Sequence, residues 1–202
     1  MTLRIGISGS HSCGKTTFLN YLKSKHPDYD YICEVAAQIK PEMRMSLETQ
    51  YEILKNQISE ENKYTNFISD RTVIDNYAYF ELVFNKMYRK GKFTYDEYIA
   101  DIGIKSKYYT DLIKYIIRKP YDAIIFVDEM LPLVKSPHRN FGDKQDQEFI
   151  YHTIRDILDV DNEMDFSYFN KICDVPIIKI KGSNIKRYNE LVMRLDNYGL
   201  EL

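Results

Sequence analysis

Gly9-Ser10-His11-Ser12-Cys13-Gly14-Lys15-Thr16, with Thr17 directly behind it, is the stretch on which the fold turns. It fits GxxxxGK[ST], the pattern of a phosphate-binding P-loop. Glycines let such a backbone curl so that successive N–H groups point inward and hold phosphate oxygens. A helix opening near Lys15 adds the positive end of its dipole. Lys15 offers a mobile ammonium to the β- and γ-phosphates of a nucleoside triphosphate, and the Thr16 hydroxyl can ligate Mg²⁺. The flanks agree with the motif. Leu3 to Ser8 is a short apolar run that reads as a buried strand, and Lys15 to Lys25 reads as a helix with Phe18, Leu19 and Leu22 on one face. The chain has only 8 glycines in 202 residues, and Gly6, Gly9 and Gly14 crowd its start. The loop accounts for Gly9 and Gly14. Gly6 lies inside the strand, where it permits close packing.

Outward from the loop, the elements alternate. Tyr29 to Cys33 reads as a second strand. Ser46 opens a helix whose stripe is Leu47, Tyr51, Leu54 and Ile58, and Asn66 to Ser69 is a short strand. Thr72 precedes a helix carrying Val73, Tyr77, Phe80, Phe84 and Met87, and Asp75 gives it a weaker form of the capping box. Gly91 is read as its break. Thr94 with Glu97 is a second cap signature opening a helical insertion, and a separate helix is expected from about Ser106 to Arg118, before Pro120. Asp122 to Val127 is a clear buried strand. Glu129 to Gln145 has no period and reads as a lid-like loop, followed by a helix to about Leu158. Val175 to Ile180 and Ile185 to Leu195 read as the last strand and helix. This pattern predicts an α/β chain, one domain over residues 1–202, with a parallel sheet covered on both faces.

Composition narrows the class. Hydrophobic residues at 44% and charged residues at 29% mark a globular chain. No apolar run is long enough to span a membrane, and the N-terminus lacks the features of a signal peptide. Cys13, Cys33 and Cys173 form no CxxC pair, which predicts a reducing, cytoplasmic setting. A net charge of -2 without a basic run gives no electrostatic support for DNA binding.

Three features bear on what happens to the bound phosphates. Asp70-Arg71-Thr72 follows a strand directly, and an acid at a strand's carboxyl end faces the ligand crevice of a doubly wound sheet. Asp70 and Arg71 can there handle metal and phosphate. Glu34, just past the second strand, is placed to accept a proton from an acceptor hydroxyl. Lys135, His138 and Arg139 put cations on the loop, where closure can neutralise moving charge.

Taken together, GSHSCGKTT, Glu34-Val35-Ala36, the ISDRT-x-x-D-x-x-A-Y stretch from Ile68 to Tyr79, and IIFVD resemble small P-loop nucleoside and nucleotide kinases. The resemblance is to the branch with ribosylnicotinamide kinases and phage-encoded kinases, and it spans about residues 3 to 198. It implies a three-layer fold with five parallel strands in the order 2-3-1-4-5, and transfer of the γ-phosphate of ATP with Mg²⁺. Under it, Gly9 to Thr17 hold ATP, Thr16 and Asp70 hold the metal, and Glu34 or Asp70 serves as base. Arg71 contacts the transferring or acceptor phosphate, and Arg139 is a lid arginine in a segment about 129–145. Gly182, Ser183 and Arg187 resemble the loop that packs on adenine. Gln57, ahead of Gln50, lies where a base-reading glutamine often sits. Ala37 stands where the family often has an arginine. The expected partner is a nucleoside or nucleotide, with no membrane, and a homodimer stays open; the compartment would be a host cytoplasm if the chain is phage-encoded. Other acceptors are ribosylnicotinamide or a hydroxymethylated base in DNA. The rival class is a P-loop ATPase or switch module; no N/TKxD guanine-reading motif is present.

Overall fold

The structure is a computed structural model that describes residues 2–89, 94–133, 143–158 and 175–202. The breaking role of Gly91, the cations Lys135, His138 and Arg139, and Cys173 lie outside the described residues. Five strands form one parallel sheet in the order β2-β3-β1-β4-β5. They are β1 (Arg4–Ser8), β2 (Asp30–Ile32), β3 (Phe67–Asp70), β4 (Ala123–Val127) and β5 (Ile177–Ile180). The helices are α1 (Lys15–Lys25), α2 (Leu47–Glu61), α3 (Val73–Arg89), α4 (Tyr95–Ile116), α5 (Lys144–Leu158) and α6 (Asn184–Asn197), the last following β5. Two 3₁₀ turns, Val35–Gln38 and Pro41–Met45, link β2 to α2.

Alternation along the strands builds two cores. Ile5 and Ile7 of β1 with Ile125 and Val127 of β4 face α1 and α6, where Phe18, Leu22, Leu191 and Leu195 meet them. Ile124 and Phe126 face the opposite way, onto Leu54 of α2, Phe80 of α3, Leu112 of α4 and Ile150 of α5. Burying each such side chain stabilises the fold by roughly 1.5–3 kcal/mol. Tyr108 and Phe80 stack with ring centroids 3.9 Å apart inside this second core.

Gly6 sits at a tight point of the sheet. A Cβ there would lie 2.4 Å from Thr72 Cγ2 and 3.2 Å from the Tyr121 ring. Its expected close packing is therefore present, and it brings the β3–α3 turn against β1.

One element differs from expectation. The helical insertion after Thr94 and the helix from Ser106 are a single helix, α4. Gly103 costs it about 1 kcal/mol relative to alanine and does not stop it. The capping box is complete: the Thr94 side chain accepts from Glu97 N–H, and Glu97 Oε2 accepts from Thr94 N–H at 2.6 Å. Side-chain bonds from Tyr51 to Asp111 (2.5 Å) and from Tyr109 to Glu81 (2.5 Å) hold the helix on α2 and α3. No helix among the described residues is long and apolar enough to cross a membrane.

Parallel register brings the chemistry to one edge. Ile7 lies beside Asp70 on one side and Ile125 on the other, and Ile32 lies beside Ser69. The P-loop, Glu34 and Asp70 therefore all leave the sheet at its carboxyl end, where doubly wound sheets bind ligands.

Candidate active site

The P-loop curls through Gly9 (φ 151°), Ser12 (φ 64°) and Gly14 (φ 88°), a left-handed course that turns its N–H groups to one side. Lys15 is buried and folds back on the loop, donating to the carbonyls of Gly9 (2.6 Å) and Ser10 (2.8 Å). Asp75 closes the arrangement from α3. One of its oxygens accepts Gly9 N–H at 3.2 Å, and the other accepts Thr72 N–H at 3.0 Å and the Thr72 hydroxyl at 2.9 Å. Its first oxygen also lies 3.9 Å from Lys15 Nζ. The residue read as a helix cap is thus also a strut of the loop.

Thr16 donates its hydroxyl to Asp70 Oδ2 at 2.6 Å. Asp70 is buried, and its Oδ1 has no hydrogen-bond partner among the described residues. Burial pushes its pKa above the ordinary carboxylate range, against the pull of Lys15, the Thr16 hydroxyl and Arg71. An unpaired carboxylate oxygen beside a threonine hydroxyl fits a hard divalent cation such as Mg²⁺. No group of three His, Cys, Asp or Glu side chains that could hold a metal occurs among the described residues. Thr16 and Asp70 would therefore share the ion with phosphate oxygens rather than cage it.

Beside this pair opens a cavity of about 430 Å³, lined on the P-loop side by His11, Ser12, Gly14, Lys15, Thr16 and Thr17. Glu34 and Arg71 form its far wall, joined by an ion pair at 2.6 Å. Burial would raise the Glu34 pKa, but the charges of Arg71, Lys15 and Arg44 outweigh it and hold the carboxyl below its usual range. Arg71 takes φ 101°, unusual for a residue with a Cβ, and its guanidinium lies 4.5 Å from the Tyr79 ring centroid. Such a conformation costs of order 1–3 kcal/mol and persists only where surroundings impose it.

Three lining residues are not named by the sequence reading, Arg44, Asn76 and Ile53, and Tyr79, which ends the Ile68–Tyr79 stretch, lines the cavity with them. Arg44 comes from the second 3₁₀ turn and binds the Ile39 carbonyl through Nε (2.9 Å) and an NH₂ group (2.6 Å). It brings a guanidinium to the cavity that holds Ala37, the position where the resembling family often has an arginine. Asn76 is buried, and its Nδ2 has no partner among the described residues. The glutamines exchange places. Gln50 lines the cavity, with Nε2 donating to the Arg44 carbonyl at 2.7 Å. Gln57 does not line it; its Nε2 donates to Glu61 (2.7 Å) and to the Ser69 hydroxyl (2.9 Å). The two share a helix face seven residues apart, and only the amino-terminal end of α2 reaches the cavity.

Gly182, Ser183 and Arg187, which the resemblance puts against adenine, lie behind the loop. Arg187 is buried and donates to the carbonyls of Cys13 (2.9 Å) and Gly14 (3.3 Å), and it pairs with Glu129 at 3.0 Å. Gly182 N–H donates to the same Glu129 carboxylate at 2.9 Å, and Ser183 caps α6. Arg187 here braces the P-loop. Cys13 is fully buried, and burial pushes its thiol pKa up, so it is a packed loop residue.

The fold has solved counterparts. Deoxyadenosine kinase from M. mycoides with bound dATP matches at 14% identity and a TM-score of 0.59, over 95% of this chain and 98% of that one. The same enzyme with bound dCTP matches at 15% identity and a TM-score of 0.59, over 96% and 98%. With products dCMP and a flexible dCDP it matches at 14% and 0.54, again over 96% and 98%. At such identities the likeness establishes a P-loop nucleoside-kinase type of fold. No curated protein matches the sequence. A family model described as an AAA domain matches residues 4–169, most of the chain and all of the P-loop edge, and the chain belongs to that family.

Proposed function

We propose that the chain transfers the γ-phosphate of ATP to a hydroxyl of a nucleoside held in the cavity beside the P-loop. The observation that carries this reading is the Glu34–Arg71 pair, 2.6 Å apart, in the wall of a cavity that begins at Lys15 and Thr16. Its volume of about 430 Å³ suits a small molecule. Loop N–H groups and Lys15 hold the triphosphate. Glu34, kept ionised by its cations, accepts the proton of the acceptor hydroxyl. Arg71 orients Glu34 and faces the phosphoryl group in flight. Mg²⁺, when bound between Thr16 and Asp70, neutralises charge on the phosphate oxygens. Arg139 is assigned the role of a closing cation. Positioning and charge stabilisation supply most of the catalysis in such transfers.

A carboxylate facing the acceptor favours a neutral nucleoside over a monophosphate, whose own charge Glu34 would repel. The deoxyadenosine kinase neighbours make deoxynucleosides the first acceptors to try. Asp70, bonded to Thr16 beneath the cavity, is assigned to the metal rather than to proton transfer. Hydrolysis alone is less well served: Asp128 and Glu129, which follow β4, are bonded to Tyr151 (2.6 Å) and to Gly182 and Arg187 (2.9 and 3.0 Å). Glu34→Gln tests the assignment. It is expected to lower kcat for nucleoside phosphorylation by roughly 10² or more while calorimetry finds Mg·ATP binding retained. A kcat near that of the wild type removes Glu34 from the role of base.

A further inference from the structure

Glu61, the last residue of α2, is 2% exposed and touches neither the cavity nor the P-loop. Its carboxylate collects donors from three directions. Gln57 Nε2 donates at 2.7 Å from α2, Tyr115 Oη at 2.6 Å from α4, and Tyr121 Oη at 2.9 and 3.0 Å from the loop before β4. Two of these donors continue to the β3–α3 turn. Gln57 Nε2 also reaches the Ser69 hydroxyl at 2.9 Å and the Arg71 carbonyl at 3.4 Å. Tyr121 Oη accepts Val73 N–H, the first amide of α3, at 3.1 Å. The residues between these anchors are Asp70, Arg71 with its φ of 101°, and Thr72. That turn aims Asp70 at Thr16 and Arg71 at Glu34.

We propose that Glu61 is a positioning residue for the acceptor site: through Gln57 and Tyr121 its carboxylate sets how Arg71 is presented between Ser69 and Val73, while Asp75 and β1 hold Thr72 and Asp70, and protonation loosens that hold on Arg71. The proposal rests on the reading of the cavity as an acceptor site. Gln57, Tyr115 and Tyr121 all donate to Glu61, so an added proton on the carboxyl finds an acceptor only when a hydroxyl of Tyr115, Tyr121 or Ser69 turns its own proton away. Tyr121 is the hydroxyl that also holds Val73. Burial raises the Glu61 pKa to about 7, and the donors Tyr115, Gln57, Tyr121 and Ser69 that oppose the rise are neutral. Among the described residues, Arg4 and Arg118 act on Tyr115 from beyond it, and Arg4 is held by Asp122 at 2.8 Å. A carboxyl so tuned changes charge near neutrality.

The sign separates positioning from bulk stability. With the folded pKa above the unfolded one, the native state binds the extra proton between about pH 4.5 and 7, so acidification through that window adds stability from this group. The proposal has activity fall over the same window.

The test follows the backbone amides of Arg71 and Val73 by NMR from pH 5.5 to 9 in the ligand-free full chain, with kcat/KM for deoxyadenosine measured alongside. The wild type is expected to show both amides titrating with a common midpoint near 7 and kcat/KM falling about tenfold per pH unit below it, as for one required ionisation. Glu61→Gln is expected to abolish the amide titration and flatten the rate profile at a low value. Tyr121→Phe, which removes one hydroxyl from a packed ring, keeps the fold measurable if Glu61→Gln does not fold. It is expected to keep the Glu61 titration while uncoupling the Val73 amide from it. Wild-type amides that do not titrate near 7, or a Glu61→Gln rate profile like the wild type, overturn the proposal. Absence of phosphoryl transfer in all proteins at every pH counts against the kinase reading, and the amide titration then decides on Glu61 by itself.

Discussion

Gly6 shows how little room lies behind the site. An added Cβ would press on Thr72 Cγ2 at 2.4 Å, and Thr72 cannot turn aside because its hydroxyl is bonded to Asp75 (2.9 Å) and Ile74 N–H (3.2 Å). Gly6→Ala is therefore expected to destabilise the fold by about 1–3 kcal/mol, read as a lower urea midpoint. An unchanged midpoint would show that the turn yields freely. At this scale, legibility followed chemistry. Lys15, Thr16, Glu34, Asp70 and Arg71 stood out because a loop motif or a strand end fixes where they point. Arg44 did not, since it sits in a short 3₁₀ turn with no periodicity to read. Asn76 lies at the edge of the apolar stripe of α3, where a polar residue among Phe80 and Met87 gives no sign of facing a cavity. Gln57 and Gln50 share a stripe, and the sequence carries no sign of which end of α2 meets the ligand.

Elements were more legible than their joins. Helix α1 has the bounds expected of it, Lys15–Lys25, because the loop fixes its start and its buried face is unbroken. The strands match to within two residues at either end, since short apolar runs between turns leave little choice. The sequence pattern divides α4 near Ser106, where the structure runs one helix whose continuity rests on tertiary ties such as Tyr51–Asp111 and Tyr109–Glu81. Residues 94–100, the cap and first turns of α4, are exposed, and the Thr94–Glu97 box holds this start together with an edge contact between the Tyr98 and Tyr88 rings, 5.8 Å apart. Thr94→Ala is expected to cost about 1 kcal/mol locally, which is roughly a fivefold rise in amide exchange over residues 95–100. Turnover is expected to be unchanged, since this end lies apart from the cavity. Unaltered exchange would mean that other contacts hold the helix start.

The whole molecule is a device for bringing three strand ends together. The order 2-3-1-4-5 places β1 between β3 and β4, so the chain leaves β1 in one direction and returns in the other, opening a crevice at the switch point. In the proposed reading, donor phosphates take the loop that ends β1, and the acceptor takes the space walled by the ends of β2 and β3. The sequence announced the first half through a motif, and the second through the positions of Glu34, Asp70 and Arg71 and through a family resemblance. The central claim is that this second space takes a hydroxyl-bearing nucleoside. Its most direct test is a phosphorus NMR assay of the products formed from Mg·ATP with a panel of deoxynucleosides, ribonucleosides, ribosylnicotinamide and monophosphates. One nucleoside monophosphate formed for each ADP is the expected result. ADP with inorganic phosphate, and every nucleoside left unchanged, would contradict it.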